Sequence, residues 1–210
     1  MVDEEKVKSK LSFLNLLKKR GKQVSESGLP PGQRLVKHFP VLDLGKRPEI
    51  DTKTWKLEIR GCEKDVDLSL EDLKKLGVQY YSEDFHCVTQ WSKIGVQWSG
   101  IPFKKILELV RPKKSWNFLI QYGSDGYSTN VPRIDVERDD VFIAFELDGT
   151  PIPREHGTIR FIIPHLYGWK GSKFLSRLEF SSVDKPGFWE VRGYHNHGDV
   201  VKEERYSLKL

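Results

Sequence analysis

A chain of 210 residues with 38% hydrophobic and 31% charged side chains is built like an ordinary globular protein and is long enough to bury a sizeable core. No apolar run approaches the roughly 20 residues that span a bilayer, and two cysteines are too few for a disulfide framework. The formal charge of +5 is localised: residues 1–34 hold eight Lys and Arg against four Asp and Glu, the remainder 27 against 26, so a general phosphate-binding surface is excluded.

The charged start, Met1 to Lys10, lacks an apolar stretch with a small-residue cleavage site and lacks a twin-arginine pair, so a cytoplasmic location is expected. Val7, Leu11, Leu14 and Leu17 recur at helical spacing among Lys8, Lys10, Lys18 and Lys19. They predict an amphipathic helix that ends at Gly21 and packs on the body or on a partner chain rather than on a membrane. Ser25 to Gly32 has the composition of a linker, so residues 1–29 form a helix and linker and residues 30–210 form the main domain.

Within the body, Trp55, Leu57 and Ile59 alternate with Lys56, Glu58 and Arg60, as in a half-buried strand. Ser69 and Asp72 have the spacing of a capping box ahead of Leu70, Leu73 and Leu76, a short helix closed by Gly77. Pro102 opens a second helix bearing Ile106, Leu107 and Val110, which stops before Pro112. Further strands are predicted at 117–122, 141–146, 159–163 and 174–180, with turns at Asp125-Gly126 and Asp148-Gly149. Strands outnumber helices without regular alternation, which gives an α+β class.

Three segments stand out chemically. Cys87 lies in Asp84-Phe85-His86-Cys87-Val88-Thr89-Gln90-Trp91-Ser92, where it reads as a buried thiol, a nucleophile or a metal ligand. A nucleophile needs a base, and His38, His86, His156 and His165 are the candidates. Zinc is disfavoured, because neither CxxC nor HExxH occurs. The second segment runs from His156-Gly157-Thr158-Ile159-Arg160 to Tyr167-Gly168-Trp169-Lys170-Gly171-Ser172-Lys173, where Arg160, Lys170 and Lys173 offer cationic donors beside glycines. It matches neither a P-loop nor a dinucleotide fingerprint. The third is Tyr127 in Asp125-Gly126-Tyr127-Ser128-Thr129-Asn130-Val131-Pro132; taken alone, such a tyrosine is more often a packed aromatic than a catalytic one.

Read in order, these segments resemble the sulfite-oxidase family of molybdopterin enzymes, in particular its small stand-alone prokaryotic members. The resemblance runs from about Pro30 to Tyr206. It is carried by Lys37-His38-Phe39-Pro40-Val41, Phe85 to Ser92, Gly126-Tyr127 and Asp148-Gly149-Thr150-Pro151-Ile152-Pro153-Arg154-Glu155-His156-Gly157. Arg160, Pro164, Gly187-Phe188-Trp189-Glu190 and Gly193-Tyr194-His195 complete it. The resemblance implies a sulfite-oxidase-type fold of mixed β-sheets with short helices. It implies a molybdenum-molybdopterin cofactor with one pterin, in which Cys87 is the single protein ligand of the metal. His38, His156, Arg160, Lys173 and the backbone around Gly171 and Ser172 would hold the pterin and its phosphate, and Tyr127 would lie beside the metal.

The expected activity is two-electron oxygen-atom transfer to or from a small oxo donor or acceptor, with an external electron carrier and no nucleic acid. Sulfite oxidases have an arginine where this chain has Val36, and an Asn-Arg segment where it has Gln90-Trp91-Ser92. Those departures turn the expectation from sulfite toward S-oxide or N-oxide reduction. The rival readings are a non-catalytic pterin-binding or degenerate homologue, and a basic nucleic-acid-binding protein that stacks bases on its six Trp and seven Tyr.

Overall fold

The computed structural model describes residues 4, 5, 8 and 28–207. The apolar stripe of the amphipathic helix expected at the N-terminus lies outside the described residues. No described helix is long and apolar enough to cross a membrane.

Two sheets build the body. The first contains β1 (Arg34–Leu35), β4 (Gln79–Cys87), β5 (Trp91–Pro102), β8 (Phe142–Leu147), β9 (Thr150–Pro151) and β10 (Arg160–Ile162). The second runs in the order β3 (Val66–Ser69), β2 (Lys56–Arg60), β11 (Leu175–Ser181), β6 (Phe118–Gly123), β7 (Ser128–Pro132). Among the residues from 28 to 207 only short helices accompany them: α1 (Leu70–Lys74), α2 (Phe103–Val110) and α3 (Arg133–Val136), with 3₁₀ turns at Arg154–His156, Gly168–Lys170 and Glu190–Arg192. The α+β class expected from the sequence is the class observed.

Local rules explain the outer elements. In β2, Leu57 and Ile59 are fully buried while Lys56 and Glu58 face out. Each buried aliphatic contributes roughly 1.5–3 kcal/mol. Ser69 caps α1: its Oγ accepts from Asp72 N at 3.1 Å, and Asp72 Oδ2 accepts from Ser69 N at 3.2 Å. Pro102 sits at the N-cap of α2 rather than inside it, and Arg111, left-handed at φ 47, closes the helix ahead of Pro112.

Leu57 and Ile59 join Ile101, Phe103, Ile143, Phe161 and Leu178 in a core drawn from both sheets. Strand β8 is buried on both faces, because Phe142 and Ala144 enter a separate cluster with Val96, Trp98 and Ile162. The spine of the first sheet is β5. It pairs with β4 along one edge, and its other edge is shared between β1 at Trp91–Ser92 and β8 at Trp98–Pro102. That spine places the β4–β5 turn, and with it Cys87, at one end of the sheet.

Candidate active site

Cys87 is the last residue of β4 and faces Trp91 across a hairpin turn made of Val88, Thr89 and Gln90. Gln90 takes a left-handed φ of 65, and its N–H donates to Cys87 O at 3.1 Å. Three further donors fix the turn from outside: Gln33 Nε2 to Cys87 O (3.1 Å), Arg34 N to Gln90 O (3.1 Å) and Arg205 Nη1 to Val88 O (3.2 Å). Thr89 Oγ1 donates to Cys87 Sγ at 3.2 Å. The sulfur is therefore held by a backbone with little freedom to move.

The candidate bases separate cleanly. His86 alternates to the opposite face of β4, where Nδ1 meets Ser92 Oγ at 2.7 Å and burial lowers its pKa. His165 Nε2 pairs with Asp135 Oδ1 at 2.9 Å, and His38 is exposed; neither lines the cavity that Cys87 lines. His156 does line it. Burial, with Lys173 and Arg160 beside it, lowers the His156 pKa to about 4, so at neutral pH it is an uncharged imidazole.

This cavity encloses about 710 Å³, counting its open mouth. Its walls are aromatic, from Phe39, Phe85, Trp91, Trp169 and Trp189, and its polar groups are Asp43, Cys87, Asp125, Tyr127, His156, Arg160, Lys173 and Tyr194. Arg160 sits on β10 and is 2% exposed. Its Nη1 donates to His156 O at 3.3 Å, and its Nε has no partner. The guanidinium lies 4.9 Å from the Phe85 ring centre and 5.7 Å from that of Trp98. Burial lowers its pKa to about 10, so it remains a cation at neutral pH. Among the described residues no carboxylate forms an ion pair with it. Lys173 Nζ donates to Leu42 O at 2.7 Å and approaches Glu155 O at 3.5 Å. Two glycines permit these approaches. A Cβ on Gly168 would lie 2.2 Å from the Phe85 ring, and one on Gly157, at φ 109, would lie 2.7 Å from Lys173 Cβ.

Other residues singled out in the sequence lie differently. Lys170, grouped in the sequence with Arg160 and Lys173 as a cationic donor beside glycines, is fully buried away from the cavity. Its Nζ donates to Glu190 Oε1 (2.7 Å), Asn130 Oδ1 (3.1 Å) and Asn196 O (2.8 Å). Gly171 lines the cavity, but Ser172 is fully buried and its N–H is taken by Gln121 Oε1 at 2.9 Å. Tyr127 lines the cavity, yet its hydroxyl donates to Trp169 O. Tyr194 also lines the cavity and was assigned no role in the sequence, although it lies in the Gly193-Tyr194-His195 segment. Burial, with Tyr206, Cys87 and Glu190 nearby, holds its pKa far above the usual range, so it is a neutral phenol.

Asp125 gives the site a pH signature. Its Oδ1 accepts from Tyr127 N at 3.1 Å, and burial lifts its pKa from an ordinary 3.8 to about 6 against the pull of Lys173 and Lys46. A raised carboxyl pKa means the folded chain holds the proton more tightly than the unfolded chain. Its contribution is thus fully present below an ordinary 3.8 and is lost as pH rises through about 6. In the cofactor-free chain, Asp125→Asn should remove this loss, gaining roughly 2–3 kcal/mol at neutral pH and almost nothing at about pH 3. Urea unfolding at the two pH values measures the difference.

Residues 44–189 match the oxidoreductase molybdopterin binding domain. The chain belongs to this family. It is 35% identical over 190 residues to the uncharacterized oxidoreductase YuiH of Bacillus subtilis, a match covering 89% of this chain and 96% of that one. It is 26% identical to the protein-methionine-sulfoxide reductase catalytic subunit MsrP of Campylobacter jejuni, across 70% of this chain and 56% of MsrP. With the mitochondrial sulfite oxidase of Drosophila melanogaster the identity is 25%, across 75% of this chain and 31% of that enzyme. The chain therefore spans nearly all of the Bacillus relative but only about half or less of the others. The fold is that of the sulfane dehydrogenase SoxCD of Paracoccus pantotrophus, with a TM-score of 0.57 and 23% identity over 65% of this chain and 40% of that one.

As a member of the molybdopterin family, the chain is a molybdenum-dependent oxidoreductase with a molybdenum-molybdopterin cofactor. The residues fit that cofactor. A buried guanidinium with an unpartnered Nε and no carboxylate suits a phosphate, which Arg binds through its fork of donors. Among the described residues, no group of three or more His, Cys, Asp or Glu could by itself hold a metal ion.

Proposed function

We propose that the chain reduces a small neutral S-oxide or N-oxide by two electrons and two protons, releasing its oxygen as water, at a molybdenum centre whose protein ligand would be Cys87. The observation that carries this reading is one cavity with a single clamped thiol and a buried guanidinium lacking an anionic partner. When bound, the molybdenum centre supplies the two-electron change, and an external carrier restores its electrons.

The chain's own residues supply the rest. Cys87 offers a soft thiolate to a metal that already has sulfur ligands, and Thr89 orients that sulfur. Arg160, Lys173 and the uncharged His156 line the same cavity and would hold the anionic and polar parts of the pterin. Phe39, Trp91, Trp169 and Trp189 line the walls with apolar surface that excludes water. Val36 stands where sulfite oxidases present an arginine, and Gln90-Trp91-Ser92 where they present an Asn-Arg segment, so a neutral oxide fits better than a sulfur oxyanion.

The test is metal content in a host that makes molybdopterin. The parent should carry about one molybdenum per chain, and Cys87→Ser under about a tenth of that. Full occupancy in Cys87→Ser would sink the ligand assignment.

A further inference from the structure

We propose that Arg205 positions the turn that carries Cys87, and that a charged His197, tied between Asp135 and Glu204, keeps Arg205 in place. Both are positioning residues, and their bearing on the reaction rests on Cys87 being the metal's ligand, as read above.

The segment from 194 to 207 is folded back on itself. Tyr194 bridges to Tyr206, His195 N donates to Arg205 O at 3.2 Å, and Glu204 N donates to Asp199 O at 3.0 Å. Arg205 reaches out of this strap to the Cys87 hairpin. Its Nη1 donates to Val88 O at 3.2 Å and its Nη2 to Pro31 O at 2.9 Å, while the guanidinium lies 4.7 Å from the Tyr167 ring centre. The side chain is buried, and Glu203 Oε1 approaches it at 3.8 Å. A planar fork that grips two carbonyls sets the backbone one residue past the sulfur.

His197 fastens the strap on its other side. Nδ1 lies 2.7 Å from Glu204 Oε2, and Nε2 lies 3.1 Å from Asp135 Oδ2, on α3. Burial pushes both carboxyls up, but their hydrogen bonds outweigh it and both pKa values are lowered. Both are therefore acceptors only. A neutral imidazole has one N–H and serves one of them, so the bridge requires a doubly protonated ring. The bond to Asp135 raises the His197 pKa above its ordinary 6.5, against burial and with help from Glu204.

Other charged groups face the same cluster. His165 Nε2 meets Asp135 Oδ1 at 2.9 Å, and His195 Nδ1 lies 3.5 Å from Glu204 Oε2. Arg138 and Lys170 feel the charge of Asp135, and Asp199 pairs with Lys202 at 3.5 Å. A pKa raised by folding adds stability that is complete below 6.5 and is lost as pH rises through the folded value. At alkaline pH the bridge therefore lets go of one carboxylate, and Glu204 is the neighbour of Arg205.

Amide hydrogen exchange over residues 84–92 of the cofactor-free full chain tests both residues. At about pH 5.5, His197→Gln should speed this exchange about tenfold over the parent at the same pH. At about pH 9.5 the ratio should fall to about one, because the parent's own ring is then neutral. Arg205→Met should speed exchange about tenfold at both pH values, with Arg205→Lys between it and the parent. Exchange in β2 and β11 should stay within about twofold, which separates a local release from general destabilisation. In loaded protein, Arg205→Met should alter the electron paramagnetic resonance spectrum of the partly reduced metal, and Arg205→Lys should restore most of it.

Parent-like exchange in His197→Gln at the lower pH would overturn the proposal. So would an equal increase at both pH values, since the charge would then play no part. Unchanged exchange or an unchanged spectrum in Arg205→Met would remove Arg205 as the positioning residue. If Cys87→Ser keeps its molybdenum, the ligand assignment fails by itself, and the exchange ratios still decide the strap.

Discussion

Replacing Glu190 by alanine is expected to cost about 3–5 kcal/mol of stability, because it strands a buried ammonium without its counter-charge. The Lys170 and Glu190 side chains are 0% and 2% exposed, and they meet at 2.7 Å. Burial lowers the Lys170 pKa, and Glu190 opposes that shift. The same Oε1 also accepts from Thr129 Oγ1 at 2.8 Å and Trp169 Nε1 at 3.0 Å, so alanine leaves three donors behind rather than one. The effects of these contacts will not add, since they share one atom. Lys170→Met together with Glu190→Gln removes both charges, keeps an acceptor for Trp169, and should recover most of the loss. Urea unfolding of the parent and the two variants checks this. A cost below about 1 kcal/mol for Glu190→Ala would mean that water reaches the ammonium. The pair also bears on the cavity: it fixes the Trp169 indole, and the Trp169 carbonyl is the acceptor for Tyr127.

Lys170 also marks where a sequence stops being legible. Beside Arg160 and Lys173 it reads as one more cation for an anionic ligand, because charge is visible in a sequence and the partner is not. Glu190 lies 20 residues on, in a segment quoted for its pattern without a role. Strand β7 was missed for the same reason. Ser-Thr-Asn-Val-Pro has too few apolar residues to read as buried, yet Thr129 and Asn130 are fully buried because they serve Glu190 and Lys170. The β4–β5 hairpin was missed for another. Its first strand mixes aromatic, charged and polar residues over a bulge between Glu83 and Phe85, and the end of β5 is buried on successive residues, so neither alternates.

What was legible obeyed local rules. The alternation in β2, the Ser69 cap and the stop before Pro112 each depend on neighbours within a few residues. Within the site, the order of motifs gathered Cys87, Tyr127, His156, Arg160 and Lys173 around one cavity before any coordinates did. The clamps on the hairpin turn stayed hidden, because Gln33 and Arg205 act on backbone carbonyls 54 and 117 residues away and carry no motif. His38 shows the converse: it shares a segment with Phe39 and Pro40, which line the cavity, but is itself exposed.

Arg160→Met should separate folding from function more sharply than any other change. In the cofactor-free chain the guanidinium is a buried cation whose compensation is one carbonyl at 3.3 Å and two aromatic faces. Cation–π contacts of this kind return about 0.5–2 kcal/mol, less than the desolvation of a buried charge. Methionine fills the space of the stem and needs no counter-charge. The cofactor-free variant is therefore expected to be as stable as the parent or up to about 3 kcal/mol more stable. Loaded protein should behave in the opposite way. Loss of a charge-assisted contact worth about 1.5–3 kcal/mol weakens retention of an anionic cofactor by roughly 10- to 100-fold. Arg160→Lys keeps the charge without the fork and should fall between the two. Unfolding of both forms, with molybdenum retained after gel filtration, measures each half. A cofactor-free Arg160→Met chain destabilised by more than about 1 kcal/mol would show that the fold itself uses this cation, and the assignment of its Nε to a phosphate would fail.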